Sequence, residues 1–388
     1  MLSKSQTKKS GYIPGLDGWR AIAIVGVLIA HDQPFTLFGH DFETVRELGA
    51  FGVLLFFAIS GFLITTRILE EERLCGYFDI KRFYIRRLFR IQPAAIAYLG
   101  VVFLLIVFGI EHDRWTGWFA ALFMVRNFLP PSLHHELTGH FWTLGLEEQF
   151  YILLSIILFF FRKNRVLVLG ALYCLVLAIS AMLQHGPLKI GREGDNGGLS
   201  DLHYLLLPAF AAALLQWPKV RDFAVKFLQP WAVCLFVFGF PLLHILVSNA
   251  VHHRPLPIAG CLWPEEKFLI TYGFLLFLLA TSTHSQSWTT RLLEMRVPRF
   301  IGRISYSLYL WHLLYFLAAV EPSVTNPVLR AFSQRELKWV LAFVTAIISY
   351  YLIEKPLVRR GHQLAPPATA GRPELADLPV ETRIRTSS

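Results

Sequence analysis

Long apolar runs separated by short polar connections dominate the chain. Ten runs stand out, at about 20–38, 49–68, 93–110, 147–161, 166–184, 202–217, 231–248, 267–283, 304–320 and 337–354. Most approach the roughly 17–25 residues a helix needs to cross about 30 Å of hydrocarbon. A transmembrane barrel would show short strands of alternating polarity instead, and none appear. Inside a bilayer every backbone N–H and C=O must be paired, so continuous apolar runs imply helices. The pattern predicts an all-α integral membrane protein, a bundle of about ten transmembrane helices. A further run, Trp115–Asn127, is too short to span and reads as re-entrant. No internal repeat is visible. Residues 1–360 form one transmembrane domain, and 361–388, rich in Pro, Ala, Thr and Arg, read as a disordered cytoplasmic tail.

Composition strengthens this reading. Hydrophobic residues make up 54% of the 388 and charged ones 16%, against about 25% charged in a soluble domain. The net charge of +10 invites thoughts of nucleic acid until its distribution is read. With the N-terminus inside and Trp115–Asn127 re-entrant, 26 of the 37 Lys and Arg fall in inner segments and ten in outer ones, with Arg20 at the start of the first helix. This is the positive-inside pattern. Were 115–127 to cross, the basic Arg162–Arg165 loop would face outward. The excess charge therefore sets orientation, both termini are expected in the cytoplasm, and nucleic acid is not implied. Met1–Gly18 is basic and polar with no small-residue cleavage site after it, so no removable signal peptide is expected. Cys75, Cys174, Cys234 and Cys261 have no metal-ligand spacing and suggest no disulfide framework. The largest outer loops are 185–201 and 249–266.

Four stretches carry candidate chemistry. The first helix runs from Asp17 and Arg20 to His31. Eleven residues at 100° each bring Arg20 and His31 to one face, roughly 16 Å apart. An ionisable group at membrane depth faces the bundle interior and marks function by default, although a helix-bridging histidine is the simpler alternative. Ser60-Gly61 permits close approach of a ligand or of a neighbouring helix. Arg86, Arg87 and Arg90 would form one cationic cluster on a helix, with Pro93 in the first turn of the next span. Such a cluster suits a phosphorylated ligand or anionic lipid heads. Last, Trp142, Glu147, Glu148 and Tyr151 open a span on the outer side. They read either as interfacial anchors or as groups that orient a histidine or bind a sugar hydroxyl.

Taken in order, six motifs resemble those of the acyltransferase-3 family, bacterial inner-membrane O-acyltransferases related to O-antigen acetylases. They are Leu16-Asp17-Gly18-Trp19-Arg20 with His31; Ser60-Gly61-Phe62-Leu63; Phe83 with Arg86, Arg87, Arg90, Ile91 and Pro93; Trp142 with Glu147-Glu148-Gln149-Phe150-Tyr151; Ser305 to His312; and Glu354-Lys355-Pro356. The resemblance covers about 11–360. Its departures are Trp19 where leucine is usual, Ala30 where an aromatic is common, and Ala58-Ile59 before Ser60.

The resemblance implies transfer of an acyl group, most often acetyl, from acyl-CoA to a hydroxyl of a glycan, lipid-linked sugar or glycosylated small molecule, with no permanently bound cofactor and no metal. It implies His31 as the base, with Asp17 or Glu147 orienting it, and leaves open direct attack by the sugar or a transient acyl-Ser60 or acyl-His31. It implies that Arg20, Arg86, Arg87 and Arg90, with Ser60, hold acyl-CoA from the cytoplasm. The acceptor would enter from outside near Trp142, Glu148 and Tyr151. His312 is a second candidate whose plainer reading is a bridge between helices, and Lys355-Pro356 would end the last span. A stand-alone membrane enzyme without an extracytoplasmic SGNH hydrolase domain is expected. The rival class is a polysaccharide or lipid-linked sugar transporter, which should show repeated halves with broken helices.

Overall fold

The computed structural model describes residues 13–32, 36–37, 40–41, 45–110, 115–129, 137–185, 199–234, 266–320 and 326–366. Apart from an antiparallel pair of two-residue strands, β1 (Thr36–Leu37) and β2 (His40–Asp41), the regular structure described is helical. The order is α1 (Leu16–His31), α2 (Val45–Cys75), α3 (Ile80–Val107), α4 (Trp115–Leu122), α5 (Phe141–Phe160), α6 (Arg165–His185), α7 (His203–Leu214), α8 (Pro218–Phe227) and α9 (Pro230–Cys234). There follow α10 (Glu266–Thr283), α11 (Trp288–Leu293), α12 (Arg296–Val320), α13 (Pro327–Phe332), α14 (Arg335–Ser349) and α15 (Lys355–Leu364). Among the described residues four stretches are long and apolar enough to cross a membrane: Phe51–Cys75, Ile80–Val107, Phe141–Phe160 and Glu336–Leu364. The expected run 231–248 and the outer loops 185–201 and 249–266 fall largely outside the described residues.

Helix α1 sits at the centre, packed on α2 and α12. Glycines bring these backbones together, as small residues do where lipid supplies no contrast in polarity. A Cβ on Gly302 of α12 would collide with the Asp17 carbonyl, and one on Gly52 of α2 would come within 2.5 Å of the Ala23 carbonyl. Gly61 meets the Leu205 carbonyl of α7 in the same way. Trp19, the departure from the family's leucine, is fully buried and uses its indole: Nε1–H donates to Thr281 Oγ1 of α10 at 3.0 Å, and the ring meets Phe277 edge-on. A leucine would leave part of the space empty and lose the donor.

Three expectations change. The basic stretch at 81–92 is no separate loop, because Asp79 caps the Arg82 N–H and a single helix runs from Ile80 to Val107 with Pro93 inside it. The apolar positions on both sides of Pro93 anchor α3 to the bundle, which outweighs the lost backbone bond. The last span does not stop at Lys355-Pro356 either. It passes through a π-helical turn, Tyr350–Glu354, into α15, whose second residue is Pro356, where no backbone donor is needed. Finally, the boundary at 361 falls inside α15. Gly361 packs on Phe89, Ala365 is buried, and residues 367–388 lie outside the described residues.

Candidate active site

A cavity of about 550 Å³ opens among α1, α2, α3, α5, α12 and α15, within the size range of small-molecule sites. Arg20, Arg67, Arg86, Arg87 and Arg90 line it, as do Ser60, Glu147 and Tyr151. Positions 83, 86, 87, 90 and 91 of α3 share one helix face, which explains why one short sequence delivers so much of the lining.

The arginines do not form a bare cationic cluster. Arg86 Nη2 meets Glu71 Oε2 at 2.6 Å, and Nη1 donates to the Ala365 carbonyl at 3.4 Å. Arg87 lies 3.4 Å from Glu148 and 3.9 Å from Glu147, with its guanidinium 3.6 Å from the centre of the Tyr151 ring. Arg20 pairs with Asp17 at 3.5 Å and Arg67 with Glu70 at 3.7 Å. Arg90 alone of the five makes no ion pair within 4 Å among the described residues. Buried guanidinium charge is costly unless paired, and carboxylates from three elements supply the partners.

Glu147 is the hub of a second set of bonds. Its Oε1 accepts from Ser60 Oγ at 2.8 Å and its Oε2 from Tyr151 OH at 3.1 Å. The 142–151 motif therefore does not sit as a unit at an outer entrance. Helix α5 begins at Phe141, so Glu147 lies six residues, about 9 Å, into the helix. Antiparallel packing on α3 brings it level with Arg87, and Tyr84 OH, one turn earlier, meets Ser155 Oγ at 2.8 Å. Glu148 and Tyr151 thus join the arginines. Trp142, in the first turn, packs edge-on against Phe57 instead.

His31 is the last residue of α1, at the opposite end of that helix from Arg20, and does not line the cavity. Its Nδ1 is 2.8 Å from the Val27 carbonyl. A carbonyl only accepts, so Nδ1 carries the hydrogen and Nε2 the lone pair. The His31 ring meets His312 at 5.0 Å between centroids, and His312 in turn meets His140 at 5.5 Å. Tyr309, which lines the cavity, separates it from this cluster: its hydroxyl bonds Thr143 Oγ1 at 2.7 Å and the His140 carbonyl at 3.2 Å. Asp17 cannot orient His31, because fourteen residues of helix, about 21 Å, separate them, and it pairs instead with Arg20 and Arg303. The carboxylate beside His31 is Asp32, which accepts from Trp339 Nε1 at 2.7 Å and pairs with buried Lys338.

Several of these partners escape sequence reasoning. His140 directly precedes the aromatic and acidic motif but falls just before α5. Glu71 and Glu72 read as a solvated end of α2, and pairing with Arg86 and Arg165 across helices has no periodic signature. Glu354 turns inward at the π turn to accept from Ser307 Oγ at 3.0 Å.

A family model described as an acyltransferase domain matches residues 13–354. The chain belongs to the acyltransferase-3 family. It is 31% identical over 376 residues to a Staphylococcus aureus (strain COL) protein whose name is that of an O-acetyltransferase, covering 91% of this chain and 58% of that protein. It is 28% identical to the O-acetyltransferase OatA of Staphylococcus aureus (strain NCTC 8325 / PS 47), covering 90% of this chain and 58% of OatA. The chain thus spans less than two thirds of the length of these relatives. No solved structure matches it. The acyltransferase-3 match takes in the arginines of α1 and α3, Glu147 and all three clustered histidines.

Proposed function

We propose that the chain is a membrane O-acyltransferase that moves an acyl group, acetyl in the first instance, from cytoplasmic acyl-CoA to a hydroxyl of an extracytoplasmic glycan, lipid-linked sugar or glycosylated small molecule. One observation carries the reading: a single cavity is lined by five arginines, and Tyr309 in its wall packs against His312, which in turn meets His31. Guanidinium forks suit the phosphates of coenzyme A, and Glu71 gives way at Arg86 as phosphate oxygens replace it. Arg20, Arg86, Arg87 and Arg90 hold these phosphates. Glu147 acts as a positioning residue that fixes Ser60 and Arg87. Glu148 and Tyr151, which hold Arg87, belong on this reading with the acyl donor, and Trp142 flanks the acceptor.

The acceptor hydroxyl gives its proton to His31 Nε2 as its oxygen attacks the thioester carbonyl. The new C–O bond forms as the C–S bond breaks, and the proton passes from the imidazolium to the departing thiolate. Direct transfer needs no acyl-enzyme, so Ser60 serves donor binding alone.

On this reading the chain is a multi-pass protein of a bacterial inner membrane, with ten spans, Trp115–Asn127 re-entrant and both termini cytoplasmic. The charge asymmetry supports that orientation. Binding of radiolabelled acetyl-CoA to the purified protein in detergent tests the reading. Saturable binding displaced by free coenzyme A is expected, and none overturns it.

A further inference from the structure

Four polar atoms of the histidine cluster and its neighbours have no hydrogen-bond partner among the described residues: His312 Nε2, Trp311 Nε1 and both ring nitrogens of His140. His312 is 0% exposed and Trp311 7%. Buried polar groups are almost always paired with protein or water, so the unpaired lone pair of His312, whose ring lies against His31, calls for an occupant. His312 cannot turn its lone pair inward. Its Nδ1–H is committed to the Tyr309 carbonyl at 2.6 Å, which leaves Nε2 as an acceptor. Trp311 Nε1–H can only donate. The two residues flank one aromatic group: Tyr98 meets Trp311 and His140 at 5.3 Å each, and His140 meets His312 at 5.5 Å. His31 lies against His312 on the other side.

An acceptor held beside His31 among aromatic rings matches a group that donates, namely a second hydroxyl or an amide on the same molecule as the hydroxyl that reacts. We propose that His312 forms an acceptor subsite beside His31, with its Nε2 accepting a hydrogen bond from a neighbouring hydroxyl or amide of the acceptor. The subsite rests on the acyl-transfer reading and adds a substrate class to it. The acceptor carries a hydrogen-bonding group next to the acylated hydroxyl, as sugars do and simple alcohols do not. His31 keeps the reacting proton, and His312 binds without changing its own protonation.

The test uses the purified full-length protein, radiolabelled acetyl-CoA and a titrated envelope-glycan preparation. In His312→Asn the side-chain amide keeps the N–H that serves the Tyr309 carbonyl and loses the group at Nε2. His312→Gln returns an amide oxygen near Nε2. The subsite predicts that His312→Asn raises the half-saturating glycan concentration about tenfold or more, a range set by leaving a partner unpaired, with acetyl-CoA affinity within twofold of wild type. His312→Gln recovers part of the loss. A half-saturating concentration within twofold of wild type in His312→Asn overturns the proposal. So does loss of acetyl-CoA affinity in both variants, which marks a merely structural histidine. If wild type itself transfers no label, the acyl-transfer reading fails and the subsite with it, an outcome recognisable because all three proteins then stand at zero.

Discussion

At the scale of single residues, the site is legible where chemistry demands a scarce residue type in an apolar context. Arg20, His31, Arg86, Arg87 and Arg90 stand out because a charge or an imidazole in a span is expensive and seldom incidental. What the sequence conceals is pairing. Nothing in the order of residues joins Glu71 to Arg86, or Ser60 to Glu147, because those bonds cross between helices. Two predictions follow from the pairs. Arg87→Ala removes a charged contact to the donor phosphates and leaves Glu147 and Glu148 uncompensated, so acetyl-CoA affinity should fall about tenfold or more, a range set by hydrogen bonds to charged groups. Isothermal titration in detergent reads it, and an unchanged affinity would return these arginines to lipid anchoring. Glu71→Gln should act in the opposite direction. It frees the half-buried Arg86 from its 2.6 Å partner, so acetyl-CoA should bind severalfold tighter at low salt, with the gain shrinking as salt rises. A weaker affinity would show that Glu71 orients Arg86 and does not compete for it.

At the scale of elements, most hydrophobic runs coincide with described helices, four of them long and apolar enough to span a membrane, but the runs mark helix ends poorly. Helix α3 starts thirteen residues before its Pro93 because Asp79 caps it and its basic first turns are stabilised by packing and by carboxylates on other helices. Helix α15 was hidden by polar residues that looked like a tail, although Gly361 and Ala365 are buried against the bundle. The seating of Glu147 beside Arg87 follows from antiparallel packing of α5 on α3, which single-helix periodicity cannot report. Close backbone contact at glycines sets the spacing of α1, α2 and α12. Gly302→Ala should force α12 away from the Asp17 carbonyl, a cost of about 1–3 kcal/mol typical of overpacking. The melting temperature in detergent should drop by several degrees, and acetyl-CoA binding should weaken because Asp17 and Arg20 move with α1. Unaltered melting would mean that the two helices are not held this tightly.

At the scale of the whole molecule, charge asymmetry and the cavity make one joint claim: the arginine end faces the cytoplasm and the histidine end faces outward. Cys75 offers a direct check, since it is exposed at the C-terminal end of α2 in a segment expected inside. With the other three cysteines replaced by serine, Cys75 should resist a membrane-impermeant maleimide in intact spheroplasts and react in inverted vesicles. The reverse pattern would invert the topology and put the arginines out of reach of cytoplasmic acyl-CoA. Family membership makes a transporter a poor account of the buried polar residues, and the remaining question is whether this cavity and His31 perform transfer together. Purified wild type and His31→Ala, each given radiolabelled acetyl-CoA and envelope glycans, decide it through alkali-labile label on the glycan. Wild type should transfer label and release free coenzyme A, while His31→Ala binds acetyl-CoA normally and transfers at least about a hundredfold less, as expected for loss of a general base. Equal transfer by the two proteins would contradict the account.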